Sequence, residues 1–409
     1  MIESLNQTDS GLNRFIYIYM YLFVIFGVVF YDTMGINFLD EAFALILSLF
    51  FIDRAFRKGV YEIKKVFVVF SISLFYLIYS FYIKSNIMVA ILNDYVTQIK
   101  PFIGYFCMFS LAPRFDISQK KNIRKLCFII WIYLIVIALL DITNTLKIHL
   151  VFGHVSRYAT TAIAISLLYL VVSDITKETI IRVLILCSVG FFSTRSKFYG
   201  FFMVEALVLL WVYFSSSVRI NIKTVIYSVI ALCLILMVSW NKINYYFIEG
   251  AFESEDAFAR PILYMVSWDI LKDFFPFGSG FASFATYFSG INYSQIYGMY
   301  GIDEVYGLSE DFPDFIADTF YPSLAQFGVI GVILFFAFLF SIATKAIRYL
   351  LLNVAENKNL AVVLLLGVFF FLIESTSDTT FTHNRGFFIL LLMGYAMSNL
   401  IRNSADDEA

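Results

Sequence analysis

What this 409-residue sequence lacks first is charge. Asp, Glu, Lys and Arg make up 15% of it, against about 25% in a soluble globular domain. Hydrophobic residues fill 60%, and the mean hydropathy is +0.81. A soluble core of this size cannot hide so much apolar surface, which excludes a soluble enzyme, a disordered chain and a fibrous protein. The net charge of −2 is too small to point to a nucleic-acid partner. Cysteine is scarce as well: Cys107, Cys127, Cys187 and Cys233 lie far apart in apolar runs and match no zinc or disulfide spacing. They read as small apolar packing residues. No Asp-x-Asp or His-Glu-x-x-His pattern argues for a metal, and no cofactor is expected. There is no internal repeat, low-complexity tract or Gly/Ser linker. Nor is there a cleavable leader: the run that starts near Phe15 is followed directly by more runs and reads as a retained anchor.

What is present is a series of apolar runs, most of them long enough to span a bilayer, which takes about 20 residues. Twelve candidates fall at about 15–31, 36–52, 66–83, 88–112, 126–143, 158–173, 179–193, 198–214, 224–240, 319–343, 360–378 and 385–401. The fold class expected is an all-α polytopic membrane protein. Orientation follows from Lys and Arg in short loops. Arg54, Arg57, Lys58, Lys64 and Lys65 crowd one loop; Arg114, Lys120, Lys121, Arg124 and Lys125 crowd another. Both belong on the cytoplasmic side, and twelve spans then put both termini there too. Nineteen Lys and Arg fall inside by this arrangement and nine outside. The chain divides into a transmembrane region over 1–240, an external loop over 241–318 and a second transmembrane region over 319–409. The loop carries 12 acidic, 3 basic and 20 aromatic residues. A loop this long among short connections is usually functional.

External arginines break the positive-inside pattern and so are candidates for chemistry. Arg195 sits in the short turn Ser193-Thr194-Arg195-Ser196-Lys197. It reads either as an interfacial cation at lipid headgroups or as an anion site, since a guanidinium forks onto a phosphate bidentately. Arg260 precedes Pro261, and 261–275 reads as an amphipathic helix with Arg260 at its start, where free N–H groups favour an anion. The bland alternative is a surface salt bridge to Glu255 or Asp256. Arg157 is a third external arginine, with His149 and His154 nearby. Two or three such arginines suit a pyrophosphate and would neutralise charge building on a leaving group. The acidic cluster Glu310, Asp311, Asp314 and Asp318 is either a solvated face or the source of a general base. Asp318, nearest the membrane surface, is the best candidate, because partial burial would make it a better base. The loop aromatics, Trp268 among them, either pack the loop or form platforms for sugar rings. Asp94, Lys100, Glu205 and Glu374 are intramembrane charges. Asp94 to Pro101 reads as an irregular helix lining a cavity. Asp378 and the run Thr382-His383-Asn384-Arg385 cap span eleven outside and would close the same site.

In this order the segments resemble the bacterial O-antigen polymerase and ligase superfamily, the Wzy-type polymerases and related ligases. Ser193-Thr194-Arg195-Ser196 is similar to the family's Ser-Arg-Ser element. Arg260…Trp268…Phe275-Pro276-Phe277-Gly278-Ser279-Gly280 is similar to its Arg…Trp…Pro-x-x-Gly-x-Gly pattern. Ala325-Gln326-Phe327-Gly328-Val329-Ile330-Gly331 is similar to its Glu-x-Gly-x-x-Gly entry into the next span, with Gln326 at the Glu position. The ligases' His-Asn pair aligns with Ala317 and Asp318, so the ligase histidine is absent, which favours a polymerase. The resemblance implies a membrane glycosyltransferase of GT-C-like architecture in the bacterial inner membrane, with the large loop periplasmic. It implies a polymerase that transfers a growing glycan from undecaprenyl pyrophosphate to an incoming lipid-linked repeat unit. The product would be O-antigen of lipopolysaccharide or a capsular polysaccharide or exopolysaccharide, made without a metal. Arg195, Arg260 and Asp318 would be catalytic; Arg157, Lys197, Trp268, Asp314, His383 and Arg385 would bind substrate. Chain-length regulator and flippase proteins are the expected membrane partners. An O-antigen ligase and a flippase or transporter of lipid-linked sugars are the alternative readings.

Overall fold

The computed structural model describes residues 10–35, 38–214, 258–352 and 358–406, with positions 240 and 244 besides. Among them the regular structure is helical, with no strand. In lipid a backbone must pair its own N–H and C=O groups, and the helix does this locally. Five helices, Ser10–Val29, Ile63–Ile83, Ile117–Ile142, Ser196–Phe214 and Phe320–Leu351, are long and apolar enough to cross a membrane. The protein is therefore built as a helical membrane protein.

We label the longer helices α1 (Ser10–Leu22, continued as a π-helix over Phe23–Val29), α2 (Leu39–Lys58), α3 (Ile63–Ile83), α4 (Met88–Leu111), α5 (Ile117–Ile142) and α6 (Val155–Val171). Then follow α7 (Lys177–Ser188, tightening to a 3-10 turn over Val189–Ser193), α8 (Ser196–Phe214), α9 (Ala259–Asp273), α10 (Gly328–Leu351), α11 (Lys358–Glu374) and α12 (Asn384–Asp406). Helices run through eleven of the twelve expected segments. The ninth, 224–240, lies outside the described residues apart from its last position, as does Cys233. The other three cysteines are buried and free.

Helices α6, α11 and α12 are buried along nearly their whole length and make the centre. Helices α3 and α5 instead expose apolar faces, with Phe67, Phe70 and Ile78 on one and Ile129, Ile132 and Val136 on the other. Such faces are at home in lipid. Small residues let α4 and α12 approach closely: Phe387 lies over Gly104, and a Cβ at Gly394 would meet the Tyr105 carbonyl oxygen at 2.4 Å. The expected break in α4 is absent. It is one continuous helix with Pro101 inside, since packed neighbours can satisfy what a proline frees. Its buried Lys100 is held by Asp40 and Glu41, each at 2.5 Å.

Contacts between loops sort them into two ends of the bundle. At one, Tyr61 N–H donates to Ser110 O, Arg402 to Ala112 O, and Asn399 to Pro113 O. This end carries the two basic loops. At the other, Ser85 donates to Phe281 O, Arg157 pairs with Asp32, and Lys197 pairs with Glu374. Here sits the long connection, described from position 258. It has a core of its own, with Leu263, Ile270, Phe284, Tyr297, Leu308 and Ile316.

Candidate functional site

The site forms at the loop end, around the connection 375–383 between α11 and α12. Almost every candidate element reaches this short connection. Tyr321 N–H donates to Ser375 O, Tyr264 Oη to Thr376 O at 2.9 Å, and Lys197 Nζ to Ser377 O at 3.2 Å. Ser156 Oγ donates to Asp378 at 3.0 Å and also bonds His154 Nδ1 at 2.7 Å. Thr379 Oγ1 donates to Ala317 O at 3.3 Å and lies 3.0 Å from His383 Nε2. Asn384 donates to Gly27 O, a carbonyl within the π-helical stretch of α1. A π-turn shifts the register of the helical bonds, and such turns are frequent at functional sites.

Arg195 occupies the turn that joins α7 to α8. Thr194 takes a left-handed conformation at φ 53, and the Ser193 hydroxyl donates back to Gly190 O at 2.6 Å. Arg195 is half-buried, and its guanidinium makes no ion pair or hydrogen bond among the described residues. It stands close enough to His154 to act on its charge state: burial first, then Arg195, push the imidazole pKa down, with Asp378 opposing them.

The other cations have partners. Asp32, almost fully buried, carries two guanidiniums: Arg385 at 2.7 Å and Arg157 at 2.5 Å. Arg385 is itself buried and also donates to Thr161 Oγ1 at 2.9 Å. It holds Asp32, because a buried charge needs a fixed counter-charge. Arg157 keeps 41% of its side chain exposed and stays available to a ligand. Lys197 is braced 2.8 Å from Glu374, so it serves the architecture of the hub rather than standing free. Glu255 and Asp256, the alternative partners for Arg260, lie outside the described residues. Arg260 instead pairs with Asp318, which joins two expected catalytic residues through a third party, charge attraction, that spacing 58 residues apart does not reveal. Asp318 is thus occupied by a guanidinium rather than standing free as a base. Helix α9 starts at Ala259, two residues before the expected 261, so Pro261 falls inside the first turn. There its missing N–H costs nothing. Trp268 is 67% exposed and Asp314 is exposed, and neither bonds to the hub among the described residues.

Two ionisable groups in the hub are strongly perturbed. Burial pushes the Asp378 carboxyl up, but Lys197, Thr380, His383 and Ser156 together outweigh it and leave it at about 2. Burial lowers His383 to about 4, with Asp378 opposing and Arg157, Lys100 and Arg385 reinforcing. His383 is exposed at the surface of this connection. Near neutral pH it is an uncharged hydrogen-bonding group. Arg195 and Arg157 act on His154, and Arg157 on His383, so the hub gathers two guanidiniums and a neutral imidazole, a set suited to an anion with attached hydroxyl groups.

The glycine motifs turn out to be a docking joint. Gly278 (φ +81) and Gly328 (φ +61) press backbone to backbone, and a Cβ on Gly278 would meet Gly328 N at 2.2 Å. Gly280 N–H donates to Gln326 O at 2.8 Å, and Gln326 Oε1 accepts from Ser283 N–H at 3.0 Å. Asp94 joins this work: it is buried and accepts from Ala282 N–H at 2.7 Å. The intramembrane carboxylate expected to line a cavity therefore pins the loop to the bundle.

Sequence reasoning missed Asp32, Ser156 and Thr379. Each meets a partner across more than 60 residues of chain, and that meeting leaves no local pattern. The chain matches no family model and no curated protein.

Proposed function

We propose that the protein polymerises lipid-linked oligosaccharide repeat units on the outer face of a bacterial inner membrane. Its twelve spans would have a GT-C-like arrangement, with both termini cytoplasmic and the large loop periplasmic. The donor is the growing chain on undecaprenyl pyrophosphate, and the acceptor is a hydroxyl of the incoming repeat. The single observation that carries this reading is the Arg195 guanidinium, without a partner among the described residues and beside Arg157, His154 and Asp378.

In the reaction the acceptor oxygen forms a bond to the anomeric carbon, and the bond from that carbon to the pyrophosphate oxygen breaks. Arg195 and Arg157 take the developing negative charge, which is where electrostatic catalysis acts. The pyrophosphate also competes for Arg260. As Arg260 turns to phosphate, Asp318 loses its counter-ion and accepts the proton of the attacking hydroxyl. His383 and Thr379 offer uncharged hydrogen bonds to sugar hydroxyls.

Deleting the gene in its host and extracting the lipid-linked glycans tests this reading. Surface glycan that collapses to a single repeat on its acceptor supports it. Long polymer accumulating on the carrier lipid means a ligase, and single repeats trapped on the cytoplasmic face mean a flippase; either overturns it.

A further inference from the structure

A second feature runs from the loop joint, at Tyr76, Phe281 and Phe327, toward the opposite, basic end of the bundle. A cavity of about 410 Å³ opens between α3, α4 and α10, within the range of small-molecule sites. Its wall is apolar and aromatic, with Ile72, Phe106, Phe327, Leu334 and Phe338, yet Lys65 and Lys345 also border it. Lys65 stands at the start of α3, 3.4 Å from Glu62 and 5.0 Å from the centre of the Phe109 ring. Lys345 is half-buried, and its ammonium has no ion pair or hydrogen bond among the described residues. The two lysines are near enough to repel each other. The mouth therefore carries two positive charges against one carboxylate.

An ammonium facing an apolar wall at the membrane is costly unless an anion meets it. A long apolar trough with cations at one end is the complement of a lipid with an anionic head. We propose that this groove holds an anionic phospholipid, its phosphate at Lys65 and Lys345 and one acyl chain along Ile72, Leu334 and Phe338. The polarity of the groove sets this lipid apart from a substrate lipid. The pyrophosphate of a carrier lipid belongs with Arg195 at the other end, whereas these lysines share an end with the basic loops 53–65 and 113–125. Anionic leaflets attract such segments. The choice of a phospholipid over a carrier lipid rests on the proposed reading of Arg195, but binding is measured without turnover, so the two can fail separately.

Native mass spectrometry of the intact protein in detergent tests it, with phosphatidylglycerol and phosphatidylcholine of matched chains titrated separately, and undecaprenyl phosphate as competitor. Phosphatidylglycerol should bind about fivefold more tightly, the contribution of one lysine near anionic lipid. Lys345→Gln should bring the two lipids to parity, and Ser341→Trp, on the same wall, should expel both. Equal affinities in the unaltered protein, a preference that survives Lys345→Gln, or displacement by undecaprenyl phosphate would overturn the proposal. Should Ser341→Trp fail to fold, Lys345→Gln decides alone.

Discussion

Asp32 shows how one residue can organise a site from outside any motif. Its carboxylate neutralises Arg385 and Arg157, which sit on different helices. Arg195, by contrast, makes no ion pair among the described residues. His383 makes the residue scale testable through pH. Its pKa falls from an ordinary 6.5 to about 4, so the folded protein keeps it neutral while an unfolded chain protonates it. It therefore favours the folded state least as pH falls from 6.5 toward 4. Diethyl pyrocarbonate reacts with neutral imidazole only. Between pH 7 and 5 an ordinary histidine loses about thirtyfold of that form, whereas modification of His383, read by peptide mass mapping, should stay nearly level. A steep fall through pH 6.5 would show that its surroundings do not depress it. At this scale the sequence announced Arg195, Arg260 and Asp318 through residue type and sidedness. It did not announce that Arg260 and Asp318 pair, or that Lys197 and Arg385 are already committed, because ion pairs form across the fold and not along the chain.

At the scale of elements, helices were legible almost throughout, since apolar run length alone dictates them in lipid. The irregularity expected near Pro101 was not found, because tertiary packing holds α4 straight through it. The glycines were legible as a motif but not as a mechanism. Their role is to let the loop and the entry to α10 meet at backbone distance, with Gln326 and Asp94 securing the turn between them. Gly278→Ala adds a Cβ at positive φ against Gly328 N, so the joint must open. Overpacking of this kind costs about 1–3 kcal/mol. We expect easier proteolysis within 258–318 and weakened polymer formation, with the bundle retained in the membrane. Unchanged proteolysis and unchanged polymer would show that the joint is not what seats the loop.

At the scale of the whole molecule, charge is divided between two ends. One bears the basic loops and the lysine-rimmed groove. The other bears the acidic loop and the hub, beside which Arg157, Arg385 and Lys197 are paired while Arg195 makes no ion pair among the described residues. This division was readable from Lys and Arg placement, because the bilayer imposes it on every loop. The hub at 375–383 was readable only in Asp378 and the run from Thr382, because the four distant segments that converge on its backbone carbonyls and on Asp378 meet only in the fold.

The central claim rests on Arg195, and Arg195→Ala tests it most directly. The side chain makes no bond among the described residues, so the variant should reach the membrane in normal amount and melt at the same temperature as the unaltered protein. Surface polymer resolved on a gel should nevertheless fall to single repeats, a loss of at least about a hundredfold if the guanidinium acts as an oxyanion-type donor does. A full-length polymer ladder from a properly inserted Arg195→Ala protein would contradict the account.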